Sequence, residues 1–158
     1  TMVRAGLALF GYCRLPRGTR LAQHPILRLV THVISVRTVE AGQALGYGLT
    51  YRAGEGGRTV ALVALGYNDG YPWALSNRGW MAIHGVRCPV VGRVSMDVTS
   101  LDVTALGRKV APGDEVTVFG PGPEDPPLNE LADLAGTIPY ELLTRLSGRV
   151  RRIFRTSQ

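Results

Sequence analysis

Apolar positions along this chain fall into short runs, broken every few residues by glycine, proline, asparagine or aspartate, the punctuation of strands joined by turns. Residues 27–39 are rich in valine, isoleucine and threonine, alternate in part with polar residues, and run into Glu40-Ala41-Gly42. That spacing predicts a long strand ending in a turn. Residues 58–65 form an apolar run of strand length behind the glycine-rich Gly54-Glu55-Gly56-Gly57. They predict a second strand, buried on both faces and able to pair with the first. Shorter strands are expected at 81–83, 89–96, 98–103 and 115–119, and this density of strands argues for a small barrel or sandwich.

The pattern changes late in the chain. Asn129 suits the N-cap of a helix over 130–135 ended by Gly136, and Pro139 suits the first turn of another running to about residue 146, closed by Gly148. Residues 150–154 then read as a last strand. Residues 121–127, with four prolines and two acidic residues, read as a loop and not as a domain linker. The opening stretch 3–10 is apolar except for Arg4 and suits a strand or turn belonging to a larger unit. Its arginine is either a snorkelling or ion-paired side chain or a guanidinium placed to bind a ligand.

Composition adds limits. A chain of 158 residues with 45% hydrophobic content can bury a core of its own. No apolar run approaches the roughly 20 residues that cross a bilayer, and the first residues lack a signal-peptide layout. The expectation is a cytoplasmic protein, free or as the cytoplasmic part of a membrane-anchored one. Cys13 and Cys88 show neither metal-type spacing nor a pairing pattern, so they are expected as free thiols, with no metal site. The net charge of +6 is carried by dispersed arginines, apart from Arg149, Arg151, Arg152 and Arg155. Without interleaved aromatics that cluster does not read as a nucleic-acid surface. Lys109 is the only lysine in the chain.

Candidate chemistry gathers in four blocks: Arg4-Ala5-Gly6-Leu7, Gly66-Tyr67-Asn68-Asp69-Gly70-Tyr71-Pro72, Val91-Gly92-Arg93-Val94-Ser95-Met96-Asp97 and Gly136-Thr137-Ile138-Pro139-Tyr140-Glu141. Each also has a plain reading. Tyr67 could be a packed aromatic after a strand, Asp97 a turn former and Tyr140 a core residue. A phenol at a strand end can equally give and take a proton.

In this order, together with Gly113-Asp114-Glu115-Val116, the blocks resemble the alanine racemase family, including its membrane-linked serine and alanine racemase relatives of vancomycin-resistance type. Each block alone is weak, and the four at these separations are specific. The resemblance implies a mainly β fold: a small barrel-like C-terminal domain with two short helices, preceded by the last strand of a (β/α)8 barrel that the chain otherwise lacks. Residues 1–20 would be the barrel remnant and 21–158 the β domain.

It also implies pyridoxal 5'-phosphate as cofactor, alanine or serine as substrate, D-alanine for cell-wall precursors as product, and a homodimer whose β domain reaches the partner's barrel. Arg4 would meet the pyridine nitrogen, which a permanently charged guanidinium keeps unprotonated, weakening the cofactor's electron sink. Gly6 and Leu7 would offer backbone N–H groups to the phosphate, with Tyr140 as a further partner. Tyr67 matches the catalytic tyrosine; racemisation needs an acid–base group on each face of a planar centre. Met96 would bind the substrate carboxylate through its N–H, Asp97 would support that loop, and Arg93 and Ile138 would line the entrance. Tyr47 lies in a family-like Tyr-Gly element without assigned chemistry.

Four departures stand out. Ala5 replaces a frequent proline, Asn68 a small residue, Trp73 a frequent arginine and Ser95 a frequent cysteine. Trp73 leaves the choice among alanine, serine and bulkier substrates open. The resemblance places the cofactor-binding lysine in the barrel, and Lys109, in a polar turn, lacks the surroundings that lower a lysine's proton affinity. The chain by itself is therefore expected to be an inactive fragment or excised domain. Two functions remain: the tyrosine-bearing part of a racemase, or a non-catalytic dimerisation or binding module.

Overall fold

The computed structural model describes residues 2–20 and 22–155, Arg108 by its backbone alone; Thr1, Leu21 at the expected domain junction, and residues 156–158 lie outside it. In chain order the strands are β1 (Leu29–Val39), β2 (Ala44–Leu45), β3 (Tyr51–Arg52), β4 (Arg58–Val63), β5 (Trp80–Ile83), β6 (Val86–Pro89), β7 (Thr99–Asp102) and β8 (Glu115–Phe119), followed by helices α1 (Leu128–Ala135) and α2 (Pro139–Thr144). Six of the strands form one antiparallel sheet in the order β6-β5-β8-β1-β4-β7. A bridge between Val90 and Leu101 joins its two edges, so the sheet nearly closes into a barrel. Closure removes most of the unpaired backbone that open edges expose.

β1 is the hinge of this arrangement. Its first half pairs with β8 and its second half with β4, and the register shifts between Val33 and Ser35. An irregularity of that kind bends a strand and raises its twist, which lets one strand serve two walls of a barrel. Leu29, Thr31 and Val33 point inward while Val30, His32 and Ile34 stay exposed, the period-2 alternation seen in the sequence. The core runs through Val63, Met81, Ile83, Leu101, Val116 and Val118. α1 has eight residues, too few to be stable in isolation. It holds because Leu128, Leu131 and Ala132 are buried on the barrel, at roughly 1.5–3 kcal/mol for each fully buried leucine.

Several boundaries differ from expectation for identifiable reasons. Residues 89–96 do not form a strand beyond Pro89. Gly92 takes φ +80°, its N–H donates to Asn77 Oδ1 (2.6 Å), and the Val94 N–H donates to Ser76 Oγ (3.0 Å), so side chains take the donors a ladder would need. Asn129 is not an N-cap: α1 begins one residue earlier, behind Pro127. α2 stops at Thr144, short of residue 146, with Arg145 and not Gly148 at its end. Residues 150–154 find no ladder partner among the described residues and are not a strand; Phe154 is 93% exposed. The opening stretch turns instead of extending: Gly6–Phe10 is a 3-10 helix ended by Gly11 at φ +75°. A hairpin the sequence reading missed joins β5 to β6 through His84 and Gly85, both at positive φ, the conformation that two-residue hairpins favour.

Cys13 and Cys88 are both free thiols. Burial, the largest cause, pushes the Cys88 thiol up to about 11 from its ordinary 9.0, and pushes the Tyr12 phenol up to about 12. A raised pKa in the folded chain means that the stabilisation is complete below the unfolded value. For Cys88 it begins to decline above pH 9.0 and is gone as the pH passes about 11. The urea midpoint is expected to fall across that window. A disulfide reagent at neutral pH should titrate Cys13 in the native chain and Cys88 only after denaturation. Rapid modification of both native thiols would contradict this packing.

Candidate active site

The turn after β4 carries Tyr67. Gly66 N–H donates to Asp69 Oδ2 (2.9 Å), Tyr71 N–H returns to Gly66 O (3.2 Å), and the buried Asp69 thereby closes a tight 3-10 turn over Tyr67–Asp69. This turn is tied to the one after β6 by two backbone bonds: Tyr67 N–H to Ser95 O and Asn68 N–H to Met96 O, both 3.0 Å. Only glycine permits so close an approach at position 66. A Cβ there would stand 2.3 Å from both Ser95 O and Met96 O. Tyr67 is 47% exposed and Met96 51%. Among the described residues, neither the Tyr67 hydroxyl nor the Met96 N–H has a hydrogen-bond partner.

Arg93 stacks over the Trp73 ring, its guanidinium carbon 4.4 Å from the centroid, a cation–π contact that holds the side chain in one place. Gly46 packs against the Arg93 backbone, 3.2 Å from where its Cβ would lie, and Tyr47 and Leu49 just after it are exposed. Asn77 fastens the neighbourhood by receiving the Gly92 N–H and donating to Thr50 Oγ1 (3.1 Å). Asp97 leaves this surface sideways, to Arg149 Nη1 at 2.5 Å. Tyr67, Met96 and Asp97 thus form one group, and Arg93 lies three residues ahead of Met96 on the same connection. Arg149 joins it through Asp69 and Asp97, and Asn77 fixes the Gly92 end of the connection; the sequence shows Arg149 only as part of a basic cluster and gives Asn77 no signal, because each acts through partners distant along the chain.

Gly6, Leu7 and Tyr140 form a second group. Leu7 N–H donates to the Tyr140 hydroxyl (3.2 Å), and a Cβ on Gly6, which has φ +52°, would stand 3.1 Å from that same oxygen. Because the Tyr140 oxygen accepts, its own proton is free to point outward. Arg4 lies exposed two residues ahead of Gly6, and Ile138 is exposed just before α2. The Tyr140 phenol, with its proton free, is a donor suited to a phosphate-bearing anion, and the missing Gly6 side chain keeps the space beside it open, so the residues present fit a phosphorylated cofactor. No hydrogen bond or ion pair among the described residues joins this group directly to Tyr67 or Met96. Lys109 is exposed at the end of the 3-10 segment Thr104–Lys109, before β8.

The family described as "Alanine racemase, C-terminal domain" matches residues 26–154. The chain is 44% identical over 155 residues to the alanine racemase of Nitratidesulfovibrio vulgaris, covering 94% of this chain and 40% of that protein. The alanine racemase of the D-cycloserine producer Streptomyces lavendulae superposes with a TM-score of 0.86 at 35% identity, over 97% of this chain and 40% of that one. The Bartonella henselae enzyme, whose structure holds covalently bound pyridoxal phosphate, superposes with a TM-score of 0.81 at 34% identity, over 94% of this chain and 40% of that one. The chain therefore spans 40% of the length of these relatives. Its nearly closed six-stranded barrel with two helices matches theirs, and the chain belongs to the alanine racemase C-terminal domain family.

Proposed function

We propose that this chain is the tyrosine-bearing part of a pyridoxal-phosphate-dependent alanine racemase, completed by a barrel domain that supplies the cofactor lysine. The observation that carries this reading is the interlock of the Tyr67 and Met96 turns. It presents a half-exposed phenol and a free backbone N–H side by side, in a family whose members are alanine racemases. When bound, pyridoxal phosphate supplies the electron sink that makes an amino acid's α-proton acidic.

The chain's own residues then divide the work. The Tyr140 hydroxyl, held by the Leu7 N–H, would donate its own proton to the phosphate, the Leu7 N–H would turn to the same anion, and Gly6 would leave room for it. Arg4 would face the pyridine nitrogen of the bound cofactor, and its guanidinium would stay charged there. Met96 N–H receives the substrate carboxylate, while Asp97, anchored on Arg149, keeps that turn in place. The Tyr67 phenolic oxygen exchanges a proton with one face of the substrate, and the barrel lysine serves the other. Arg93, stacked on Trp73, and Ile138 would line the entrance. The cradle of Gly6, Leu7 and Tyr140 and the Tyr67–Met96 surface are separate groups. We read them as halves of two sites, each completed by another subunit in a homodimer.

The test compares the isolated chain with the chain joined to its barrel. The joined protein is expected to interconvert L- and D-alanine, while the isolated chain does not and leaves the cofactor absorbance unchanged. A shifted absorbance band in the isolated chain that disappears in Lys109→Ala would overturn the assignment of the lysine to the barrel. A joined protein that holds the cofactor but racemises neither alanine nor serine would overturn the function.

A further inference from the structure

We propose that Arg149 is a positioning residue, clamping the Tyr67 turn and the Met96 turn into one unit; the inference deepens the reading of Tyr67 and Met96 given above. Arg149 Nε lies 3.5 Å from Asp69 Oδ1, and its Nη1 lies 2.5 Å from Asp97 Oδ1. One guanidinium therefore spans two carboxylates, one inside the Tyr67 turn and the other directly after Met96.

Asp69 is buried and cannot turn away, because its second oxygen receives the Gly66 N–H that closes the turn. Without the guanidinium, two like charges would face the same space, with Asp69 left short of a partner. Such a pair is pushed apart, and the turns that carry it move with it. Arginine suits the task because its donors are set in a rigid planar fork, whereas a lysine ammonium is a point charge on a flexible stem.

Arg149 is itself held by the segment after α2. Ser147 N–H donates to Asp69 O (3.2 Å), Arg149 N–H donates to Ser147 Oγ (3.2 Å), and Gly70 packs against the Arg145 carbonyl. Tyr140 stands in the first turn of α2. One continuous stretch thus links the phosphate-side phenol to the clamp that sets the spacing between Tyr67 and Met96.

The experiment uses the complete enzyme with Arg149→Gln, Arg149→Lys and, as control, Arg151→Gln, which removes the same charge from an exposed neighbouring position. Amide hydrogen exchange at Tyr67 and Asn68 is read alongside steady-state racemisation. In Arg149→Gln, exchange at those two amides is expected to quicken by about 10-fold or more while β4 and β8 stay protected. Racemisation is expected to lose about 10²-fold in kcat, as a displacement of ~1 Å does, with KM raised as well. Arg149→Lys should recover KM but not kcat, since an ammonium can keep the nearer Asp97 and with it the Met96 turn, and cannot also reach Asp69. Arg151→Gln should change neither.

Unchanged exchange in Arg149→Gln would overturn the clamp. Faster exchange with kcat and KM intact, or a lower melting temperature with full activity per folded molecule, would reduce Arg149 to a structural residue and overturn its positioning role. If Arg149→Gln does not fold, the split between kcat and KM in Arg149→Lys decides. A wild-type enzyme without racemase activity would overturn the proposed function, and the clamp would then stand or fall on amide exchange alone.

Discussion

Tyr67→Phe in the complete enzyme is expected to lower racemisation by about 10²- to 10⁴-fold, the range of a lost acid–base group. Fold and cofactor binding should survive. The substitution removes only the hydroxyl, which makes no hydrogen bond among the described residues, and keeps a ring that is already 47% exposed. The loss should also be directional. In deuterated solvent the lysine face would still exchange the α-proton of one enantiomer, whereas exchange from the other enantiomer and conversion between the two would both collapse. Equal residual exchange from both enantiomers would mean that Tyr67 merely positions substrate, and the two-base reading would fail.

The second large effect is expected at Gly66→Ala. Backbone strain is not the cause, since φ at Gly66 is −144°, an extended value open to any residue. The obstacle is contact: the added methyl would lie 2.3 Å from the carbonyl oxygens of Ser95 and Met96. Carbonyl oxygens of the main chain cannot rotate away as a side chain could. The turns must part, breaking the bonds from Tyr67 N–H and Asn68 N–H together. Overpacking of this kind costs about 1–3 kcal/mol, and a shift of ~1 Å between proton donor and carboxylate site costs about 10²-fold in rate. Gly148→Ala serves as control, because no atom lies within 4 Å of its Cβ position; it should stay within about 0.5 kcal/mol of the parent. Urea denaturation and racemase kinetics on both variants provide the check. A Gly66→Ala enzyme with parental midpoint and rate would show that the interlock is dispensable.

The strands were legible where a single periodicity governs burial. Residues in β1, β4 and β8 alternate or run apolar because one or both faces meet the core, and a period of two survives any topology. Expectation failed at 89–96, where composition resembles a strand but the donors go to Asn77 and Ser76 from a distant loop. It failed again at 150–154, where the apolar residues have no neighbouring edge among the described residues. Asn129 illustrates the limit of local capping rules: Leu128 gains more by entering α1 and burying its side chain than Asn129 could contribute as a cap.

The chemical groups themselves are written in the chain order. Tyr67, Met96 and Tyr140 stand in short motifs beside glycines such as Gly66 and Gly6, whose close approaches are demands that act at single positions. Their grouping is another matter. Tyr67 meets the Met96 turn only because β4 and β7 pair in the sheet and bring the turns at their ends together. Asp97 meets Arg149, 52 residues away, only because α2 folds back across the Tyr67 turn. An ion pair between distant residues leaves no periodic trace in a sequence, since its energy depends on distance and burial that exist only after the barrel has closed.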